Sequence, residues 1–215
     1  MKSDFQLQKD VMDELHWEPS VDHTNIGVTA KNGVVTLAGF VPNYAQKTAV
    51  EMATRRVAGV RAIAEEIQVR FAVDPRMTDA EIAERILNRL DWDVSAPKGI
   101  KIRVEQGRVT LTGQVDWNYQ KEIAGRAASR TTGVKTITNL IDVKAKPAPA
   151  DVHERIVSAL RRAKDLDAGA ITVSVDGGTV KLSGRVHGWN ERQIAESAAW
   201  AAPGVTRVQD DIVLA

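Results

Sequence analysis

Apolar positions along this chain change period in a fixed order, and that order is written three times. Leu7, Val11, Met12 and Leu15 fall at i, i+4, i+5 and i+8. That spacing draws one apolar stripe along an amphipathic helix. Ile82, Ile86, Leu87 and Leu90 repeat the stripe, as do Val152, Ile156, Val157 and Leu160. Each helical pattern gives way to two short runs of period two, the mark of half-buried strands. The first run holds Ile26 and Val28, then Ile100, Ile102 and Val104, then Ile171, Val173 and Val175. The second holds Val35 and Leu37, Val109 and Leu111, or Val180 and Leu182. An alanine-rich helical pattern follows, with Ala45, Ala49 and Ala53 matched by Tyr119, Ile123 and Ala127 and by Asn190, Ile194 and Ala198. Each copy closes on another strand pattern: Val60, Ile63, Ile67 and Val69; Val134, Ile137, Ile141 and Val143; Val205, Val208, Ile212 and Leu214.

Glycines punctuate these patterns at fixed intervals. Gly33, Gly107 and Gly178 stand between the two strand runs, where a tight hairpin needs the positive φ that glycine adopts without strain. Gly39, Gly113 and Gly184 end the second run. Gly59, Gly133 and Gly204 fall where a left-handed residue would stop the second helix. Ser3 with Gln6, and Thr78 with Glu81, have capping-box spacing at the first helix of their copies. The fold class expected is α+β: three tandem α-β-β-α-β modules, each with two helices packed on one face of a three-stranded mixed sheet. The expected domains are 1–71, 76–145 and 149–215, joined by short proline-bearing linkers at 73–76 and 145–149. Units of this size bury only about 60% of their unfolded surface, so each alone is marginal.

The run Leu37, Gly39, Val41, then an alanine-rich helix, then Gly59-Val60 resembles the BON domain, a family named for bacterial osmotically inducible protein Y and nodulation proteins. The same residues recur as Leu111, Gly113, Val115 and Gly133-Val134, and as Leu182, Gly184, Val186 and Gly204-Val205. The resemblance covers nearly the whole chain. It implies a small binding module that contacts phospholipid membrane surfaces or other proteins, associated with osmotic or envelope stress. It carries no catalytic residues. Self-association without lipid binding is the alternative; an enzyme or a nucleic-acid binder is the weaker expectation. Exported relatives carry a signal peptide; the start of this sequence is already amphipathic and lacks an apolar leader core, which points to the cytoplasm.

Composition changes this picture little. Apolar residues make up 43% and charged residues 27%, the balance of an ordinary globular protein. Net charge is +1. The middle copy carries a basic excess (among others Arg85, Arg89, Lys98, Lys101, Arg103, Arg126 and Arg130) that reads in sequence as small and scattered rather than as a nucleic-acid footprint. Cysteine is absent, which excludes disulfides, thiolate catalysis and thiolate metal sites.

Candidate chemistry is sparse. His16, His23, His153 and His187 share no position in the repeat, and no pair has the i, i+4 spacing of a zinc site. They read as surface histidines, and no metal or cofactor is expected. An enzyme would need a one-off polar constellation around His153 or His187. The glycines match neither dinucleotide nor P-loop fingerprints, and no copy has the Gly-x-x-Gly loop of a K-homology RNA module. Asp210-Asp211 aligns with Glu65-Glu66 and with Asn139-Leu140, and reads as a solvated edge that discourages strand pairing.

Aromatic residues are the candidate interaction positions, because they differ between copies. Trp17 and Trp92 are equivalent, after the first helix, and the third copy has no tryptophan there. Tyr44, Trp117, Tyr119 and Trp189 cluster where the second strand passes into the second helix. Trp200 stands in the register of Arg55 and Ser129, which suggests a contact between units or between chains. Tryptophan and tyrosine at such places suit protein interfaces or a membrane–water boundary.

Overall fold

A computed structural model describes residues 2–71, 77–145, 151–164 and 166–214. Helix α1 (Asp4–Trp17), strands β1 (Ile26–Lys31) and β2 (Val34–Val41), helix α2 (Tyr44–Arg56) and strand β3 (Ala62–Val69) form the first module. The second has α3 (Asp79–Trp92), β4 (Lys101–Glu105), β5 (Arg108–Val115), α4 (Asn118–Ser129) and β6 (Thr136–Val143). The third has α5 (Val152–Arg162), β7 (Ile171–Asp176), β8 (Thr179–Val186), α6 (Trp189–Trp200) and β9 (Arg207–Leu214). A 3₁₀ turn precedes β1 at His23–Asn25 and β7 at Ala168–Ala170. The α-β-β-α-β order is the one the hydrophobic pattern predicts. The expected linkers at 73–76 and 146–149 lie outside the described residues.

Each sheet has its second strand in the centre, in the orders β1-β2-β3, β4-β5-β6 and β7-β8-β9. The hairpin pairs antiparallel with Val28 opposite Leu37, Ile102 opposite Leu111 and Val173 opposite Leu182. The closing strand joins in parallel, with Gly39 opposite Ile67 and Gly184 opposite Ile212. These registers turn one set of side chains toward the helices, since a strand alternates faces at every residue. In the first module Val35, Leu37 and Val41 meet Leu7, Val11 and Leu15 of α1 and Val50 and Ala53 of α2 in one buried core. In the third, Val180, Leu182 and Val186 meet Ile156, Leu160, Ala195 and Ala199. Alanine on the second helix lets its backbone lie close to the sheet.

Two of the three hairpin turns use left-handed pairs, Asn32 and Gly33 (φ 52 and 81) and Gln106 and Gly107 (φ 54 and 78). In the third turn Gly177 takes the left-handed position (φ 54), but Gly178 does not, contrary to the expectation for that glycine. Gly178 is needed for another reason: a Cβ there would stand 2.8 Å from Thr206 Oγ1 and 3.0 Å from the Gly204 carbonyl. The glycines after the second helix also differ from expectation. α2 already ends at Val57, and α6 at Ala201, so Gly59 and Gly204 sit beyond the caps, in the turn that feeds the closing strand. Gly133 likewise follows the end of α4 at Ser129. They are left-handed (φ 101, 93 and 83), but they aim the strand rather than stop the helix.

The capping box forms in full at Thr78 and Glu81, whereas at the first helix only Ser3 caps Gln6 and the Gln6 side chain turns to Asp10. A further tie was not visible in the spacing. The carboxylate of Asp79, on the first residue of α3, accepts hydrogen bonds from the Gln106 and Gly107 amides of the hairpin at 2.7 and 2.9 Å. Asp4 receives the Asn32 amide at 2.8 Å in the same way. The Gly107 and Gln106 amides hold the Asp79 carboxyl below its usual range.

Two outcomes follow. Gly184 holds φ 137, and a Cβ there would lie 2.1 Å from the Ala170 carbonyl oxygen. Gly184→Ala should cost at least about 2 kcal/mol in chemical denaturation, while Gly177→Asn, which restores the residue found at Asn32 with open space around it, should be neutral. A carboxyl lowered in the folded state adds stability above its unfolded pKa and loses it as pH falls through the folded value. Thermal melts should therefore show the wild-type chain losing more stability than Asp79→Asn on acidification below about pH 4.

Candidate functional site

The seven aromatic positions do not behave as one set. Trp17 and Trp92 end α1 and α3 with 82% and 88% of their surface exposed. Tyr119 is also exposed. Tyr44, Trp117, Trp189 and Trp200 are half-buried. Burial pushes the Tyr44 hydroxyl up, with the charges of Glu65 and Glu51 adding to it. Arg192 lies over the Trp189 ring with its guanidinium carbon 5.3 Å from the centroid. Trp200 packs against the core of its own module, so its half-buried state is explained there without a second unit or chain.

The acidic pairs resolve in the same way. Glu65 and Asp210 face the second helix, where Lys47 Nζ stands 3.4 Å from Glu65 and Arg192 Nε 2.6 Å from Asp210. Lys47 also donates to the Ile67 carbonyl at 3.0 Å. These ion pairs fasten the second helix to the closing strand, while Glu66 and Asp211 stay exposed on that edge strand, as a solvated edge requires. In the middle module Asn139 holds the equivalent position.

A concavity of about 850 Å³ runs between α3 and α4 of the middle module. Its floor is Ile123, Ala127 and Thr131, and its walls carry Arg85, Arg89, Arg126 and Arg130. Trp92 and Val94 stand at its mouth, Val94 fully exposed. Arg126 reaches Glu122 only at 3.8 Å, with both side chains in solvent. Arg85, Arg89 and Arg130 form no ion pair among the described residues. Asp93, the acid in this lining, accepts the Ser95 amide. The basic residues that look scattered in sequence are thus gathered by helical spacing: 85 and 89, like 126 and 130, are one turn apart and share a face.

The equivalent positions on the helix pairs of the other two modules carry different chemistry. In the first, Glu14 stands in the register of Arg89 and Arg56 in that of Arg130, and the two pair at 2.8 Å. Glu18 takes the other side of the Arg56 guanidinium at 2.7 Å, and that hydrogen bond holds the Glu18 carboxyl below its usual range. Asp10, in the register of Arg85, is held by Lys2 at 2.6 Å. In the third module the registers of Arg89 and Arg130 are Ala159 and Ala201, and Arg155 is paired with Asp151 at 2.7 Å. The groove there measures about 460 Å³. Among the described residues, only the middle groove sets several guanidinium groups without a close ion pair beside an exposed tryptophan.

Among the described residues no group of three or more histidine or carboxylate side chains could hold a metal ion. No helix among them is long and apolar enough to cross a membrane.

The BON domain pattern matches residues 3–70, 78–145 and 150–215. The chain belongs to the BON domain family. It is 31% identical over 139 residues to the osmotically-inducible protein Y of Escherichia coli strain K12, an alignment that takes in 59% of this chain and 67% of that protein. Among solved structures it aligns along its whole length with the C-terminal domain of CdsD, a structural protein of the Chlamydia trachomatis type III secretion system, at 15% identity and a TM-score of 0.27. A second CdsD structure aligns over 98% of the chain at 16% identity and a TM-score of 0.28. Scores that low carry no inference about fold or partner.

The contrast between the two outer tryptophan classes is measurable. Trp200→Ser should cost about 1–3 kcal/mol in chemical denaturation, as truncation of a half-buried core aromatic does, whereas Trp92→Ser should stay within about 0.5 kcal/mol.

Proposed function

We infer that this BON protein is a non-enzymatic, stress-associated binding protein whose middle module docks on anionic phospholipid surfaces. One observation carries the reading: Arg85, Arg89, Arg126 and Arg130 border one groove, with Trp92 and Val94 projecting at its rim. Guanidinium groups match phosphate geometry and are weakly hydrated, so they give up water readily on binding. Tryptophan is suited to the headgroup level of a bilayer, where its ring is half in apolar and half in polar surroundings. The combination supports peripheral attachment, and the absence of a membrane-crossing helix among the described residues agrees with it. The first module supplies its own counter-charges at the equivalent groove, and the third has alanine there, so neither competes for the same ligand. The name of the Escherichia coli relative supports expression under osmotic stress.

Sedimentation with vesicles tests this. The chain should pellet with vesicles containing phosphatidylglycerol at low salt and remain in solution with pure phosphatidylcholine. Each surface arginine contributes about 1 kcal/mol near an anionic leaflet, so Arg89→Ser with Arg130→Ser should weaken partitioning roughly thirtyfold. Raising salt should release the protein, because the attraction is screened beyond about 10 Å at 0.1 M. Binding that ignores headgroup charge, or that survives loss of both arginines, would remove the lipid reading in favour of a protein partner.

A further inference from the structure

Two histidines that sequence spacing keeps apart are brought together at the end of α1. His16 lies in its last turn, and His23 opens the short 3₁₀ turn before β1. Their rings stand edge to face with centroids 4.7 Å apart, and His16 Nδ1 is 3.2 Å from His23 Nε2. Two imidazole nitrogens on one ion, with metal–nitrogen bonds of about 2.0–2.1 Å, are separated by about 2.9–3.4 Å. The pair is therefore at chelating distance, and both rings are exposed to solvent.

The remaining donors decide which ion. Asp22, beside His23, is engaged: its carboxylate takes the Thr24 amide at 3.1 Å and the Thr24 hydroxyl. No other carboxylate joins the histidines into a metal-sized cluster among the described residues. One helical turn before His16 stands Met12, exposed, on the same face of α1. Its thioether is open to solvent on that face. Two imidazoles with a thioether and no carboxylate form a donor set for a soft ion, because thioether sulfur selects Cu(I) while carboxylate oxygen suits harder cations.

We propose that Met12, His16 and His23 form a Cu(I) site on the first module. The site belongs to that module alone: the corresponding residues are Leu87, Asp91 and Pro97 in the second and Val157, Arg161 and Ala168 in the third. Two repeats without it show that the fold does not require these side chains. Met12 and His16 lie off the face of α1 that carries Asp10 and Glu14, which stand in the registers of Arg85 and Arg89.

An anaerobic competition between the full chain and the chromophoric Cu(I) chelator bicinchoninate tests the proposal. The chain should withdraw one equivalent of Cu(I). His16→Ala and His23→Ala should each abolish the withdrawal, and Met12→Leu should weaken it, with circular dichroism unchanged in all three because the side chains are exposed. No withdrawal by the wild-type chain would overturn the site. So would full binding by either histidine variant or by Met12→Leu, and so would uptake of Zn(II) with none of Cu(I).

Discussion

Each module depends on one close approach: the hairpin turn pressed against the turn that follows the second helix. The carbonyl of Gly33 receives the Arg61 amide, that of Gly107 the Lys135 amide and that of Gly178 the Thr206 amide, all at 2.8 Å. A Cβ on Gly107 would lie 2.7 Å from the Gly133 carbonyl, and one on Gly178 3.0 Å from that of Gly204. Two glycines more than twenty residues apart are thus parts of one joint. The joint delivers the closing strand alongside the central strand in the right register. A slip of one residue there would turn Ile67 or Ile212 away from the core. The hydrogen bonds from the turn to Asp79, and to Asp4 in the first module, fasten the first helix to the same place. In the first two modules both helices, the hairpin and the third strand therefore meet at one corner.

That joint explains what was legible in the sequence. The amphipathic stripes of Leu7, Val11 and Leu15 and of their counterparts name the buried faces, and the alternation around Val35 and Leu37 names the central strand. Three repetitions in register leave little freedom for any other order of elements. The spacing could not distinguish a glycine that stops a helix from one that aims a strand. Both need a left-handed residue near a helix end, and only the caps at Val57 and Ala201 tell them apart. The spacing misplaces the role of Gly178 for a related reason. Steric exclusion by a neighbouring carbonyl selects glycine as firmly as positive φ does, and only the folded chain reveals the neighbour.

The site was less legible than the fold, because it is made by pairing two helices across the module. Trp92 was visible as an odd aromatic at a helix end. Arg85 with Arg89 and Arg126 with Arg130 each have the spacing of a shared face, yet they sit on different helices, and net charge averages them away. The same averaging hides their opposite in the first module, where Arg56 is enclosed by Glu14 and Glu18. A count of arginines scores the two grooves alike at that position. Only the pairing shows that one guanidinium is committed and the other available. The histidines follow the same logic: separated by seven residues, they meet because the chain turns back through the 3₁₀ turn at His23.

Repetition also constrains how function can be distributed. A module of this size commits its hydrophobic positions and its joint glycines to stability, and these recur. What remains free is the outer surface of the two helices. Three copies supply three versions of that surface at no cost to the core, so one can become cationic while another neutralises itself and a third shrinks to alanine. Tethering the three in one chain lets a weak contact by one module raise the local concentration of the others at the same surface. The divergence of the grooves then argues for a division of labour among modules; on the docking reading proposed above, affinity for an anionic surface belongs to the middle copy.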